Sequence, residues 1–156
     1  MFTRKSLLVL AILISSLFAV SLVSADTVSG TGRLHARGNG SIVLRGDVDT
    51  LRIHGRGTLF FKDAGETDEP AVTGTGVRID LPNGWVQYVG FNGTFNLTDA
   101  DDIVVKLDGR NINLYAAGSG DVWLRGQGHY QYDNGENNIT GVWTTEGQAI
   151  EIAPAE

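Results

Sequence analysis

The side chains in this sequence best suited to proton transfer or metal binding are three histidines, His35, His54 and His129, and a set of aspartates, Asp99, Asp101, Asp102, Asp108 and Asp121. Two carboxylates facing each other across a cleft would carry out glycoside hydrolysis. The stretch Thr98-Asp99-Ala100-Asp101-Asp102 also groups oxygens in a way that suits calcium, although it lacks the glycine and the closing glutamate of an EF-hand loop. A solvated turn is the plainer reading of the same residues. His35 and His54 lie beside Arg37 and Arg52, and in a seventeen-residue rung His35 stacks on Arg52 and Arg37 on His54, giving an outward basic ladder. The nearest carboxylates are Asp47 and Asp49, so neither a converging metal-ligand set nor a triad with its buried acid and nucleophile emerges. The expectation is a non-enzymatic protein with no cofactor.

Other candidates are surface residues. In the aligned segments described below, the position between the last two inward residues is Val43, Phe60 and Trp123, and Val104 sits similarly between Ile103 and Val105. An outward column that meets only water should be polar, so these four residues predict a covered or partner-binding strip. Outward aromatics such as Trp123 and Tyr115 are also what a sugar platform uses, which keeps a carbohydrate-binding or glycoside-hydrolysing protein as the alternative. Four sequons, beginning at Asn39, Asn92, Asn96 and Asn138, are candidate glycosylation sites.

The elements that must position these residues follow one pattern. Leu34, Ala36, Gly38, Gly40, Ile42 and Leu44 set it out; Leu51, Ile53, Gly55, Gly57, Leu59 and Phe61 repeat it seventeen positions on. Leu114, Ala116, Gly118, Gly120, Val122 and Leu124 repeat it eighty positions after the first copy. Apolar residues two apart share one face of an extended strand, and a glycine pair permits a sharp change of direction at positive φ. Each copy therefore reads as strand, corner, strand. Similar short strands recur along the chain, with nothing periodic enough for a helix after the first segment. Residues 63–91 depart from the pattern: 63–70 read as an exposed acidic loop, Pro82-Asn83-Gly84 as a turn, and residues 85–89 as a strand.

Two all-β architectures fit. In a short β-solenoid or β-helix, residues seventeen apart stack and the inward faces make one core. In an antiparallel β-sandwich or barrel, each Gly-x-Gly corner closes a hairpin, with Asn39-Gly40 as a hairpin dipeptide. A two-residue loop there would turn Ile42 and Leu44 to the wrong face, whereas a three-residue loop would not. The position-by-position match of the copies favours the solenoid. Ala117-Gly118-Ser119-Gly120-Asp121-Val122, with residues 44–53, resembles the repeat of auto-transporter adhesin head domains of the GIN type. That resemblance covers residues 30–61 and 112–132. It implies a right-handed β-helix, a cell-envelope or adhesion-like role and no catalytic residues.

The chain opens with Arg4 and Lys5, continues through an apolar run at residues 7–23, and reaches Val23-Ser24-Ala25 before Asp26. This is the layout of a secretory signal peptide covering residues 1–25. Removing 25 of 156 residues leaves 131, a length that suits one domain at residues 26–156. That domain has no cysteine, so packing and backbone pairing must stabilise it outside the cell. The expected location is secreted or at the cell surface, with no membrane span after cleavage.

Charge is split along the sequence. Residues 26–62 hold six basic and three acidic side chains, and residues 63–156 hold four basic and fifteen acidic ones. The net charge of −6 argues against nucleic acid as a partner. If rungs followed sequence order, one end of the solenoid would be basic and the other acidic, and the protein would associate with itself head to tail. Cell-envelope components, polysaccharide among them, are the other expected partners. Mass spectrometry of the exported protein should find Asp26 at the N-terminus; an exported chain retaining residues 1–25 would refute the cleavage site.

Overall fold

The computed structural model describes residues 27–65, 69–133, 135 and 138–153. The expected signal peptide lies outside the described residues. Six strands carry the structure: β1 (Thr27–Thr31), β2 (Arg33–Asp63), β3 (Ala71–Asp80), β4 (Trp85–Asp133), β5 (Asn138–Trp143) and β6 (Gln148–Ala153). A 3₁₀ turn at Pro82–Gly84 joins β3 to β4. No helix among the described residues is long and apolar enough to cross a membrane.

The long strands β2 and β4 pair antiparallel, and they do so on both edges of β2. Leu34 stands between Tyr132 and Ala116; Ala116 stands between Leu34 and Leu51; Leu51 pairs onward with Leu97. Residues seventeen apart in β2 therefore flank one β4 residue, as Ile42 and Leu59 flank Leu107. Strand β3 pairs with the first part of β4, β5 and β6 pair with its last part, and β1 adds parallel to β6. The corners divide this pairing into two runs. The first run is ordered β5, 128–133, 33–38, 112–117, 50–55, 92–98 and 71–75. The second is ordered β1, β6, 120–124, 40–46, 103–109, 57–63, 85–88 and 77–80.

Both runs turn alternate apolar residues into a single core. All twelve apolar residues of the three sequence copies are buried there, together with Phe91, Phe95, Tyr132 and Trp143. Strict alternation would place residues an odd number apart on opposite faces. Leu34 and Leu51 are nonetheless both buried. The reset occurs at Asp49 and Thr50, where the register slips by one from Val48↔Gly118 to Thr50↔Ala117. This is a β-bulge, one extra residue that changes which face the following side chains meet.

At the corners the paired backbones come close together. Gly40 lies at φ +137° between Gly126 and Gly109, and a Cβ on it would collide with the Arg125 carbonyl oxygen. Gly57 is different from expectation, because its φ is not in the left-handed region. A Cβ there would instead strike the Asp108 carbonyl oxygen of the paired strand. The requirement for glycine at this corner is closeness of approach, not backbone conformation.

Three expectations change. Asn39-Gly40 does not close a hairpin: the chain runs on through it, and Gly40 pairs with β4. Residues 71–80 form an ordinary edge strand in register with residues 86–96, with one irregularity between Thr75 and Val77. Strands do not follow sequence order either. The basic segment 33–62 lies inside the sheet with β4 on both sides, so its charge is not collected at one end. Substituting Gly40→Val or Gly57→Val should each cost more than about 2 kcal/mol in urea unfolding. Gly84→Ala, at φ +77° with open space around it, should cost only about 1 kcal/mol. Equal losses at all three would show that close approach is not what holds the corners.

Candidate functional site

Cross-strand register decides which outward side chains meet. On the first run, one row reads Gln131, His35, Tyr115, Arg52, Asn96. The row beside it reads His129, Arg37, Asn113, His54, Thr94. The basic ladder expected from sequence is thus interleaved: Tyr115 stands between His35 and Arg52, and Asn113 between Arg37 and His54. The His35 and Tyr115 rings lie 4.7 Å apart at a tilt of 58°. His54 Nδ1 is 3.1 Å from Thr94 Oγ1. Apart from Asn96, these residues floor two adjoining shallow depressions: one of about 440 Å³ from His35 and Arg37 across to His54 and Thr94, and one of about 280 Å³ that extends it to His129 and Gln131. No carboxylate lines either depression, and among the described residues Arg37 and Arg52 form no ion pair.

The outward face of the second run has another character. Its central row reads Trp123, Val43, Lys106, Phe60, Gln87, Ile79. Trp123 is 42% exposed, and Val43, Phe60 and Val104 are half-buried. Sequence reasoning aligned the four as a column, but Lys106 separates Val43 from Phe60, and Val104 falls in the next row between Arg45 and Lys62. The Lys106 ammonium is 2.9 Å from Asp108, and a lysine stem so placed covers apolar neighbours on either side. Tyr115 and Trp123 stand on the outward faces of different runs, so they do not form one sugar platform.

The aspartates occupy corners. Asp99 and Asp102 have φ of 51° and 49°, and Asn111 at the opposite corner has φ of 53°. Asp and Asn tolerate this left-handed conformation better than other residues with a Cβ. All three sit at bulges where consecutive β4 side chains point outward before the buried alternation resumes. Two bulges are closed from β2 in the same way. The Asp102 N–H donates to Asp47 Oδ1 at 2.7 Å, and the Asn111 N–H donates to Asn39 Oδ1 at 2.9 Å. No three acidic or histidine side chains among the described residues converge on a common point that would hold a metal, Asp99, Asp101 and Asp102 included. Asp108 lies at the far end of the strand from Asp102, about 20 Å away at strand rise, and Asp121 pairs across from Arg45. They are not arranged as a pair across one cleft.

Of the sequon residues, Asn39, Asn92 and Asn138 are exposed and Asn96 is half-buried beside Arg52. Asn138 Oδ1 accepts from Gln131 Nε2 at 2.9 Å. Sequence reasoning missed Asn113 and Gln131 as members of the polar face, because they come from β4 and only pairing brings them beside β2. No protein-family model, curated protein or solved structure matches this chain.

The corner geometry gives its own test. Asp102→Gly should leave stability within about 0.5 kcal/mol, since glycine adopts positive φ freely, while Asp102→Val should cost more than about 1 kcal/mol. Asp47→Ala should cost about 1 kcal/mol through loss of the acceptor, and Asp47→Asn should restore most of it. A ranking in which Asp102→Gly is as damaging as Asp102→Val would mean that the Asp102 carboxylate, and not its backbone, matters.

Proposed function

We propose that this chain is a secreted, non-catalytic β-repeat module that acts by surface contact, as an adhesive or structural component of the cell envelope. The observation that carries the reading is where the polar and aromatic side chains stand. They occupy strand segments between the corners and form cross-strand rows over shallow ground, a layout that suits an extended partner lying across the strands. In this reading the fold is a short solenoid-like coil of a two-stranded ribbon. One turn of β2 takes seventeen residues, and the returning strand β4 fills the space between turns. The resemblance to glycine-cornered adhesin heads supports the same role.

Self-association in this reading runs through strand edges. Strand β3 has one edge paired with β4, and nine of its ten residues are exposed. An exposed strand edge is a template for another strand. Because the basic segment lies within the sheet, attraction between oppositely charged ends is not the driving force.

Labelled mature protein should bind saturably to cells of the organism that encodes it. Incubation with their isolated envelope polysaccharide should release no reducing ends. Failure to bind cells would end the adhesive reading, and reducing ends appearing in proportion to protein added would replace it with the glycoside-hydrolase alternative.

A further inference from the structure

We propose that the outward face of the first run is a binding site for an anionic polysaccharide, with Arg37 and Arg52 holding its acidic groups and Tyr115 lying under a sugar ring. This rests on the reading of the chain as a surface-contact module and names the ligand class of that surface. The two β2 segments that carry His35 with Arg37 and Arg52 with His54 are separated by one β4 strand. Two strand spacings put the segment that carries Arg37 and the segment that carries Arg52 about 10 Å apart. That is comparable to the length of a disaccharide in an extended chain, so acidic groups two sugars apart can meet Arg37 and Arg52. Guanidinium groups suit this task because their planar fork matches a carboxylate or sulfate with two parallel hydrogen bonds.

What lies between the charges selects a glycan over other polyanions. Tyr115 offers an aromatic surface, and the Asn113 amide and Thr94 hydroxyl offer neutral donors and acceptors for sugar hydroxyls. Duplex nucleic acid keeps its bases stacked inside and would meet this face through phosphates alone, leaving Tyr115 without a ring to cover. A membrane surface calls for inserted apolar side chains. The exposed large apolar residue of this run is Val142, at its β5 side, whereas Trp123, Ile79, Val77 and Val89 belong to the second run.

The mature chain should be measured by affinity electrophoresis or surface plasmon resonance against polygalacturonate, dextran sulfate, neutral dextran and duplex DNA. Binding is expected to one or both acidic polysaccharides, and which one binds identifies the acidic group as carboxylate or sulfate. Arg37→Ala/Arg52→Ala should weaken that binding about tenfold or more, as expected for lost charge-assisted contacts. Arg45→Ala/Lys62→Ala removes the same charge from the outward face of the second run and should change it by less than about twofold. Tyr115→Ala should weaken binding and Tyr115→Phe should restore it. Melting curves for each variant, with Arg37→Gln/Arg52→Gln as a second pair, separate lost binding from lost folding. The site is overturned by no binding to either acidic polymer, by equal binding to neutral dextran, by equally tight binding to DNA, or by equal loss in the two double variants. Polymer binding by a protein that ignores cells would keep the site and discard the envelope role. Cell binding that survives Arg37→Ala/Arg52→Ala would keep the role and discard the site.

Discussion

Hydrogen bonding on both edges of β2 is the constraint on which the rest of the structure depends. A strand buried in a sheet must find partners for the amides and carbonyls on each side. Here one strand, β4, supplies both sides by passing β2 in two registers about seventeen residues apart. Antiparallel passes that enter and leave the same corners bring backbone onto backbone, so the corners require glycine where the strands cross closely, as at Gly40, Gly109 and Gly57. Since the chain has no cysteine, this pairing and the core beneath it carry the stability. The partners lie far apart in sequence, so long loops must close before pairing rewards them, and this slows the search for the fold.

Inward residues were legible in the sequence because burial and strand alternation leave a period of two. Leu34, Ala36, Leu51, Ile53, Leu114 and Ala116 were identifiable as core from spacing alone, and all are buried. The neighbour of each strand was not legible. A Gly-x-Gly corner has the same local sequence whether the next strand over is the following repeat or a strand returning from the far end of the chain. Every misplacement of a surface residue follows from that. Lys106 separates Val43 from Phe60, and Tyr115 separates His35 from Arg52, because β4 interleaves with β2.

The aspartate corner illustrates how much backbone conformation adds to composition. Asp99, Asp101 and Asp102 form a cluster of oxygens in sequence, which suits a solvated turn and, less directly, calcium. In the fold, Asp99 and Asp102 adopt positive φ at bulges, where a short polar side chain is tolerated, and the Asp102 amide is held by Asp47. The local conformation accounts for these residue types without a ligand. The parallel device at Asn39 and Asn111 uses amides in place of carboxylates, so the common requirement is a side-chain acceptor facing a left-handed residue, not negative charge.

The bulge at Asp49 and Thr50 in β2 explains how an acidic protein presents a cationic face. Arg37 and Arg52 are fifteen positions apart, an odd number that strict alternation would send to opposite sides of the sheet. The extra residue at Asp49 and Thr50 restores parity, so that His35, Arg37, Arg52 and His54 all point outward while Leu34, Ala36, Leu51 and Ile53 all point in. Without that slip, burying Leu51 and Ile53 would be incompatible with keeping the first copy's core, since one of the two copies would have to bury its cations. Burying an unpaired cation is far costlier than exposing a leucine. The bulge therefore sets core and cationic face together: it keeps Arg37 and Arg52 outward on the same run while Leu34 and Leu51 stay in the core.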